Sequence, residues 1–435
     1  MIRALYSLVM TGAQPLLRRK LRRRGAAEPG YLEAMDERFG QYREAAQPGA
    51  LWIHAVSLGE TRAAAVLVQA LRRQQPALRL LLTHGTATGR AEGARLLRPG
   101  DRQAWLPWDT PQAVARFIAH FRPCLGVLIE TEVWPNLAAE CLRQGVPLTL
   151  ANARLSETSL RQAQRLSALS RPAYASLSAV WAQTEADAQR LRTAGARVSG
   201  VLGNIKFDAA PDEAALARGK AWRQALGRPV VLLASSREGE EAQLLQLLRA
   251  HLDREQRGLG QRANDVLAGQ VQWLIVPRHP QRFEAVAQLA AQAGFGVLRR
   301  SQWQDPPQPA DVWIGDSLGE MPMYYALADV ALLGGSFEPL GGQNLIEAAG
   351  CGCPVVMGPH TFNFAEAAVT AQSRGAALRV RSLGDGVRET LDLLADPSRR
   401  ASMVEAAGAF ARSSQGAAQR CAEALLTVVS AHRGV

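Results

Sequence analysis

LWIHAVSLGETRAAAVLVQALRRQQPALRLLLTHG, residues 51–85, contains the unit from which the fold can be read. A short apolar run (LWIHAV, 51–56) meets a turn, then residues 60–74 repeat apolar positions at helical spacing, and a second apolar run (LRLLLT, 78–83) follows. Two strands joined through a helix must lie parallel, and runs this apolar are buried on both faces. The pattern continues outward through CLGVLI (124–129), VPLTLA (146–151), AVWAQ (179–183) and RVSGV (197–201), with helical patterns at 111–121 and 184–194 among them. After GNIKFD (203–208) the polar, Pro-marked stretch DAAPDEAALARGK breaks the rhythm. The alternation then restarts as PVVLLAS (229–235), VQWLIVP (271–277), DVWIG (311–315), DVALLGG (329–335) and PVVMG (354–358), with long helical patterns at the carboxyl end. The expectation is two α/β domains, 25–208 and 209–435, each with a parallel sheet. Such sheets take ligands at the carboxyl ends of their strands.

The length of 435 residues suits two domains of about 200 each, and 47% hydrophobic with 20% charged content is that of a folded chain. Net charge is +11, but residues 1–24 carry seven basic side chains (Arg3, Arg18, Arg19, Lys20, Arg22, Arg23, Arg24) and no acid. The remainder is nearly balanced, with 43 basic against 39 acidic groups, which argues against a nucleic-acid-binding body. Residues 4–17 are apolar, with Ser7, Thr11 and Gln14 forming a polar stripe, and RRKLRRR (18–24) follows directly. That order is the reverse of a cleaved signal peptide, and the basic run favours the cytoplasmic side. Residues 1–24 therefore read as a membrane anchor, interfacial or a short signal anchor. The alternative is a basic helix end packed on the protein.

No GxGxxG follows a strand, and neither GxxxxGK[ST] nor HExxH occurs. The seven histidines lack ligand spacing and no Asp-x-Asp is present, so neither a metal nor a bound cofactor is expected. Five cysteines without CxxC pairing fit a reducing compartment. Cys351 and Cys353 read as small core residues, with a redox or metal role as the alternative.

Strand ends carry the remaining information. In HAVSLGE, Glu60 opens a helix, either complementing its dipole or acting as a general base. In LIETEVWPN, Glu130 and Glu132 share a face and repel, so one calls for a proton or a cationic partner, Arg154 in NARLS or Lys206 in GNIKFD. Lys206 is one of three lysines in an Arg-rich chain. The turn ASSREGEE (234–241) offers hydroxyls before a helix start, and VPRHP (276–280) presents Arg278 and His279 between prolines. Residues 334–360 run strand end, Gly-rich loop, helix and strand, with Asn344 and Glu347 one turn apart. A phosphate at the helix start and a ribose held by Glu347 fit that arrangement, as does a plain capped connection.

With these motifs in order, together with GDSLGEM (315–321) and MGPHTFNF (357–364), the chain resembles the Kdo transferases over nearly its whole length. These enzymes move 3-deoxy-D-manno-octulosonic acid (Kdo) from CMP-Kdo to a lipid A precursor in Gram-negative lipopolysaccharide biosynthesis. The resemblance implies the GT-B fold: two Rossmann-like domains facing across a cleft, with the acceptor on the first and the nucleotide on the second. It implies Glu60 as proton acceptor, and Glu130 with Lys206 as groups stabilising the transition state. CMP falls to Arg278 and His279, to Gly319, Glu320 and Met321, and to Asn344, Leu345, Ile346 and Glu347. Two positions depart from the family: Gln343 and Arg237 each stand where a histidine is usual.

The implied reaction is inverting and metal-independent. CMP departs as a phosphate monoester without a general acid, its charge taken by the helix end near Asn344 and the Ser235/Ser236 turn. The partners implied are CMP-Kdo, the lipid A precursor and an anionic inner-membrane surface, with the catalytic domains on the cytoplasmic side and no nucleic acid. A UDP-sugar transferase of the same fold and a basic surface-binding scaffold are the rival readings.

Overall fold

Buried apolar runs need partners on both faces, and in the computed structural model they find them in two separate sheets. The structure describes residues 2–43, 45, 48–208, 211–256 and 270–433. Two compact units divide the chain: Met1–Ala209 together with Gln415–Val435, and Ala210–Ser414. The sequence predicts a second domain that extends to residue 435. The last helix, Ala417–Arg433, instead belongs to the first unit. Leu425 and Val429 are buried there in one apolar cluster with Leu67 and Leu71, and Ala418 N–H donates to the Asp208 carboxylate at 2.5 Å. The helix is amphipathic, and periodicity does not say which sheet it covers.

The first unit contains strands β1 (Leu51–His54), β2 (Leu80–His84), β3 (Arg102–Trp105), β4 (Leu125–Ile129), β5 (Leu148–Ala153), β6 (Ala179–Ala182) and β7 (Val198–Val201). They form one sheet in the order β3-β2-β1-β4-β5-β6-β7, with every pairing parallel. Successive side chains alternate between faces. Leu51 and Ile53 enter the cluster containing the helix Leu58–Gln74, whereas Trp52 enters the one containing Phe117 and Ile118.

The second unit contains β8 (Val230–Ser236), β9 (Gln272–Pro277), β10 (Val297–Arg299), β11 (Val312–Ile314), β12 (Val330–Leu333), β13 (Val355–Met357) and β14 (Ala377–Arg379). Their order is β10-β11-β9-β8-β12-β13-β14, again all parallel. Three strands escape the sequence reading: β3, β10 and β14. All are at sheet edges, where one side of the ladder is unpaired and a polar or three-residue strand is tolerated.

Each sheet reverses its winding at one place, between β1 and β4 in the first and between β8 and β12 in the second. In open α/β sheets the loops diverge to opposite faces at such a point, and the carboxyl ends of the strands beside it are the usual ligand position.

The amino-terminal segment forms two short helices, Ile2–Gly12 and Gln14–Ala27. No helix among the described residues is long and apolar enough to cross a membrane. All five cysteines are free; Cys351 and Cys353 are buried, and burial pushes the Cys351 thiol up to about 12, as a small core residue requires.

Candidate active site

The carboxyl ends of β1 and β4 place two acidic groups side by side. After β1, Ser57 caps the helix Leu58–Gln74, and Glu60 is in its first turn. Ser57 Oγ donates to Glu60 Oε1 at 2.9 Å, and Val56 N–H donates to Oε2 at 2.8 Å. Val56 is itself fixed, because its carbonyl accepts from Gly85 N, Thr86 N and Thr86 Oγ1 at 3.1, 2.9 and 3.0 Å. Glu60 thus fills the bland role of tying down the helix start, but both its oxygens keep a lone pair for another partner. Burial pushes its carboxyl above the usual range, against the Val56 and Ser57 hydrogen bonds. Glu130 adds to the rise and Lys206 opposes it.

Glu130 ends β4 in a left-handed conformation, φ 68°, which costs a residue with a Cβ of order 1 kcal/mol or more. The twist turns its side chain onto Lys206, with Nζ 2.5 Å from Oε1. Of the two cations offered by the sequence, Lys206 is therefore the partner, while Arg154 is exposed. Glu132 does not share that pair. Burial first, and the Glu60 charge second, raise its carboxyl. The carboxylate that adds to the rise at Glu132 is Glu60, not the expected Glu130.

Sequence reasoning passed over Asn152. This residue at the end of β5 is buried and also left-handed, φ 52°. Its Oδ1 accepts from Ile205 N at 3.0 Å and so fixes the turn Ile205–Asp208, which carries Lys206. Its Nδ2 is buried with no partner among the described residues. The available signal was an amide side chain at the end of an otherwise apolar run.

In the second unit the turns after β8, β9, β11 and β12 carry the remaining predicted residues. Arg278 and His279 follow β9, and both are exposed. The turn is tied back through Arg282, which pairs with Glu241 at 3.0 Å and Glu238 at 3.1 Å. Gly319, φ +81°, has open space where a Cβ would be. Glu320 is bound bidentately by Arg300, at 2.9 and 2.8 Å, and Met321 begins the helix Met321–Leu327.

Asn344 caps the six-residue helix Leu345–Gly350, accepting from Ile346 N at 3.1 Å. Its Oδ1 is thereby turned onto a backbone N–H of the first helical turn. Leu345 and Ile346 are buried, so what they offer at the helix start is backbone, and Glu347 is half-buried on the same short helix.

Part of the anion-binding expectation is overturned here. Ser236 is fully buried and donates to Glu241 at 2.8 Å, so its hydroxyl is not available to a phosphate. The Gly-rich loop is likewise committed inward. Glu240 accepts from Gly335 N at 2.8 Å, Phe337 N at 3.2 Å and Arg237 N at 2.9 Å. Gly341 sits at φ +91°, a conformation that strains any residue with a Cβ, and a Cβ there would press on the Asn363 and Phe362 side chains. The two positions that depart from the family converge: a Cβ on Gly335 would lie 3.3 Å from Gln343 Nε2 and 3.5 Å from Arg237 Cγ.

Two parallel-sheet units with polar groups gathered at their switch points define the architecture of GT-B glycosyltransferases. A solved glycosyltransferase from Rickettsia africae ESF-5 shares that fold, with TM-score 0.56 and 12% identity over 89% of this chain and 99% of that one. Residues 33–209 match the family described as 3-Deoxy-D-manno-octulosonic-acid transferase (kdotransferase). The 3-deoxy-D-manno-octulosonic acid transferase of Bordetella pertussis is 48% identical, covering 97% of this chain and 98% of its own. That of Haemophilus influenzae is 32% identical, covering 91% of each. The chain belongs to the Kdo transferase family and is a glycosyltransferase.

Asn152→Ala removes the acceptor for Ile205 N and is expected to cost about 1–3 kcal/mol. Asn152→Gly loses the same bond but adopts φ > 0 freely, and should recover up to about 1 kcal/mol of that loss. Urea unfolding midpoints of the two variants measure the difference.

Proposed function

We propose that the chain transfers Kdo from CMP-Kdo to a lipid A precursor with inversion, using Glu60 as the base and no metal ion. The observation that carries this reading is the Glu60 carboxylate, half-buried at the β1/β4 switch point beside the Glu130–Lys206 pair, in a chain with a 48% identical Kdo transferase relative. A sugar hydroxyl is a weak nucleophile until its proton has somewhere to go. As its oxygen bonds to the anomeric carbon of Kdo, the bond from that carbon to the phosphate oxygen breaks, and the proton passes to Glu60. CMP leaves as the monoester and needs no acid. Lys206 and Glu130 adjust the local charge, favouring the electron-poor sugar without leaving a bare carboxylate. On the second unit, Arg278, His279, Asn344 Nδ2 and the backbone at Leu345 supply positive or donor groups for the nucleotide phosphate. The 319–321 turn and Glu347 take the nucleoside.

The membrane part of the reading has separate support. The helix Ile2–Gly12 is turned inside out relative to a soluble amphipathic helix. Ser7 donates to Asn136 at 2.9 Å, and Tyr6 hydrogen-bonds the buried Asp109 carboxylate. Ile2, Leu5, Leu8 and Val9 are exposed instead, as is Leu16 beyond the helix. A helix that docks through Tyr6 and Ser7 and presents its apolar side chains, followed by the basic run 18–24, suits an in-plane contact with the anionic cytoplasmic leaflet. The acceptor is then met at the surface it cannot leave.

Glu60→Gln retains a hydrogen-bonding side chain but cannot take the proton. Transfer to lipid A precursor should fall about 10²–10⁴-fold, with CMP affinity and the unfolding midpoint unchanged. Near-normal turnover would remove Glu60 from the base role, and loss of activity on adding a chelator would overturn the metal-free reading. For the membrane contact, flotation with vesicles containing phosphatidylglycerol should recover the wild type, whereas Leu5→Asp/Leu8→Asp should remain at the bottom with its transfer to detergent-dispersed acceptor intact.

A further inference from the structure

The turn Asp316–Glu320 follows β11 and leads into the helix Met321–Leu327. It is gripped at both ends by two consecutive residues of the turn that follows edge strand β10, Arg300 and Ser301. Ser301 N–H donates to Asp316 Oδ1 at 2.9 Å and its hydroxyl donates to Oδ2 at 2.7 Å. Arg300 Nε donates to Glu320 Oε2 at 2.9 Å, and Nη2 to Oε1 at 2.8 Å. Inside the turn, Ser317 Oγ donates to Glu320 Oε2 at 2.5 Å and is 2.6 Å from the Tyr324 hydroxyl. The guanidinium carbon lies over two indoles, 5.4 Å from the Trp222 ring centre and 5.5 Å from that of Trp303.

Two consequences follow. The Glu320 carboxylate accepts from three donors within the protein, so its side chain is committed to holding the turn. What the turn presents outward is backbone and the tip: Leu318 is 71% exposed, and a Cβ on Gly319 would meet nothing within 4 Å. A ligand at residues 319–321 therefore reads main-chain groups, whose placement depends on the grip at Asp316 and Glu320.

We propose that Arg300, with Ser301, is a positioning element for donor binding: it fixes the 316–321 backbone in the shape that receives the nucleoside of the donor. This rests on the reading of residues 319–321 as part of the CMP site. A flat, bidentate donor is needed for both Glu320 oxygens, and lysine, a single point charge, does not replace it. A partly exposed ion pair adds little to global stability, so a purely structural role and a positioning role predict different results.

The test compares wild type, Arg300→Lys, Arg300→Met and Ser301→Ala by calorimetric titration with CMP, by steady-state kinetics and by thermal unfolding. The expected result is a Kd for CMP and a KM for donor about tenfold higher in both Arg300 variants and raised to a smaller degree in Ser301→Ala. The kcat at saturating donor, the KM for acceptor and the unfolding midpoint should stay near wild type. The double variant Arg300→Met/Glu320→Gln should bind CMP no worse than Arg300→Met alone. Unchanged CMP affinity in Arg300→Lys would overturn the proposal while leaving the CMP reading intact. Failure of the wild type to bind CMP would overturn both. If Arg300→Met does not fold, Arg300→Lys and Ser301→Ala decide, and wild-type affinity in both counts against the proposal.

Discussion

A carboxylate half-removed from water and fastened through both oxygens sets the terms for the first unit. Burial destabilises the Glu60 anion, whereas Val56 N–H and Ser57 O–H stabilise it. Hydrogen bonds to a charged acceptor are worth about 1.5–3 kcal/mol each, enough to keep the group ionisable while its basicity stays raised. The fastening propagates backwards, because the Val56 peptide that donates to Glu60 is gripped on its carbonyl side by Gly85 and Thr86 at the end of β2. Sideways, the balance includes the Glu130–Lys206 pair, and Lys206 is in turn placed by Asn152 through Ile205. Four strand ends, those of β2, β1, β4 and β5, and the turn after β7 thus bear on one side chain. Two non-glycine residues, Glu130 and Asn152, are held left-handed to achieve it, and strain of this kind collects where geometry matters to function.

The second unit uses acidic groups differently. Glu240 and Glu241 are fully buried, and each is satisfied by the protein itself: Glu240 by three backbone N–H groups, Glu241 by Ser236 and Arg282. They act as internal anchors for the Gly334–Phe337 loop and the turn after β9. The glycine-rich loop is consequently shaped from beneath by a carboxylate. Arg278 and His279 remain exposed, and Asn344 is half-buried. Placing Arg237 and Gln343 on either side of Gly335 gives the two departures from the family one shared location, next to the loop that Glu240 anchors.

Much of this was legible in the residue pattern, for identifiable reasons. Buried parallel strands such as 125–129 and 230–236 write themselves as continuous apolar runs, and the linker near 209 breaks the rhythm. Edge strands β3, β10 and β14 carry arginine or span three residues, so no apolar run marks them. The final helix is visible as a helix, but its return to the first unit depends on tertiary packing around Leu425 and Val429. At the site, Glu60, Glu130 and Lys206 could be singled out because charged groups at the ends of apolar runs are conspicuous. Arg300 could not, since it acts through a carboxylate distant in sequence, and Asn152 offers only the weaker signal of an amide closing an apolar run, because it acts through a backbone N–H. Ser236 was misjudged because a serine before a helix looks the same whether its hydroxyl faces a ligand or a buried glutamate.

The central claim is physical: burial outweighs the hydrogen bonds and Lys206, leaving Glu60 a stronger base than an ordinary glutamate. Because the group must be ionised to accept a proton, transfer should decline as pH falls through that raised value. Carbon NMR of protein labelled at the glutamate carboxyl carbons, with Glu60 assigned by difference from a variant lacking it, follows this titration directly. The account predicts a midpoint clearly above the ordinary value of 4.5. A midpoint at or below that value would contradict it.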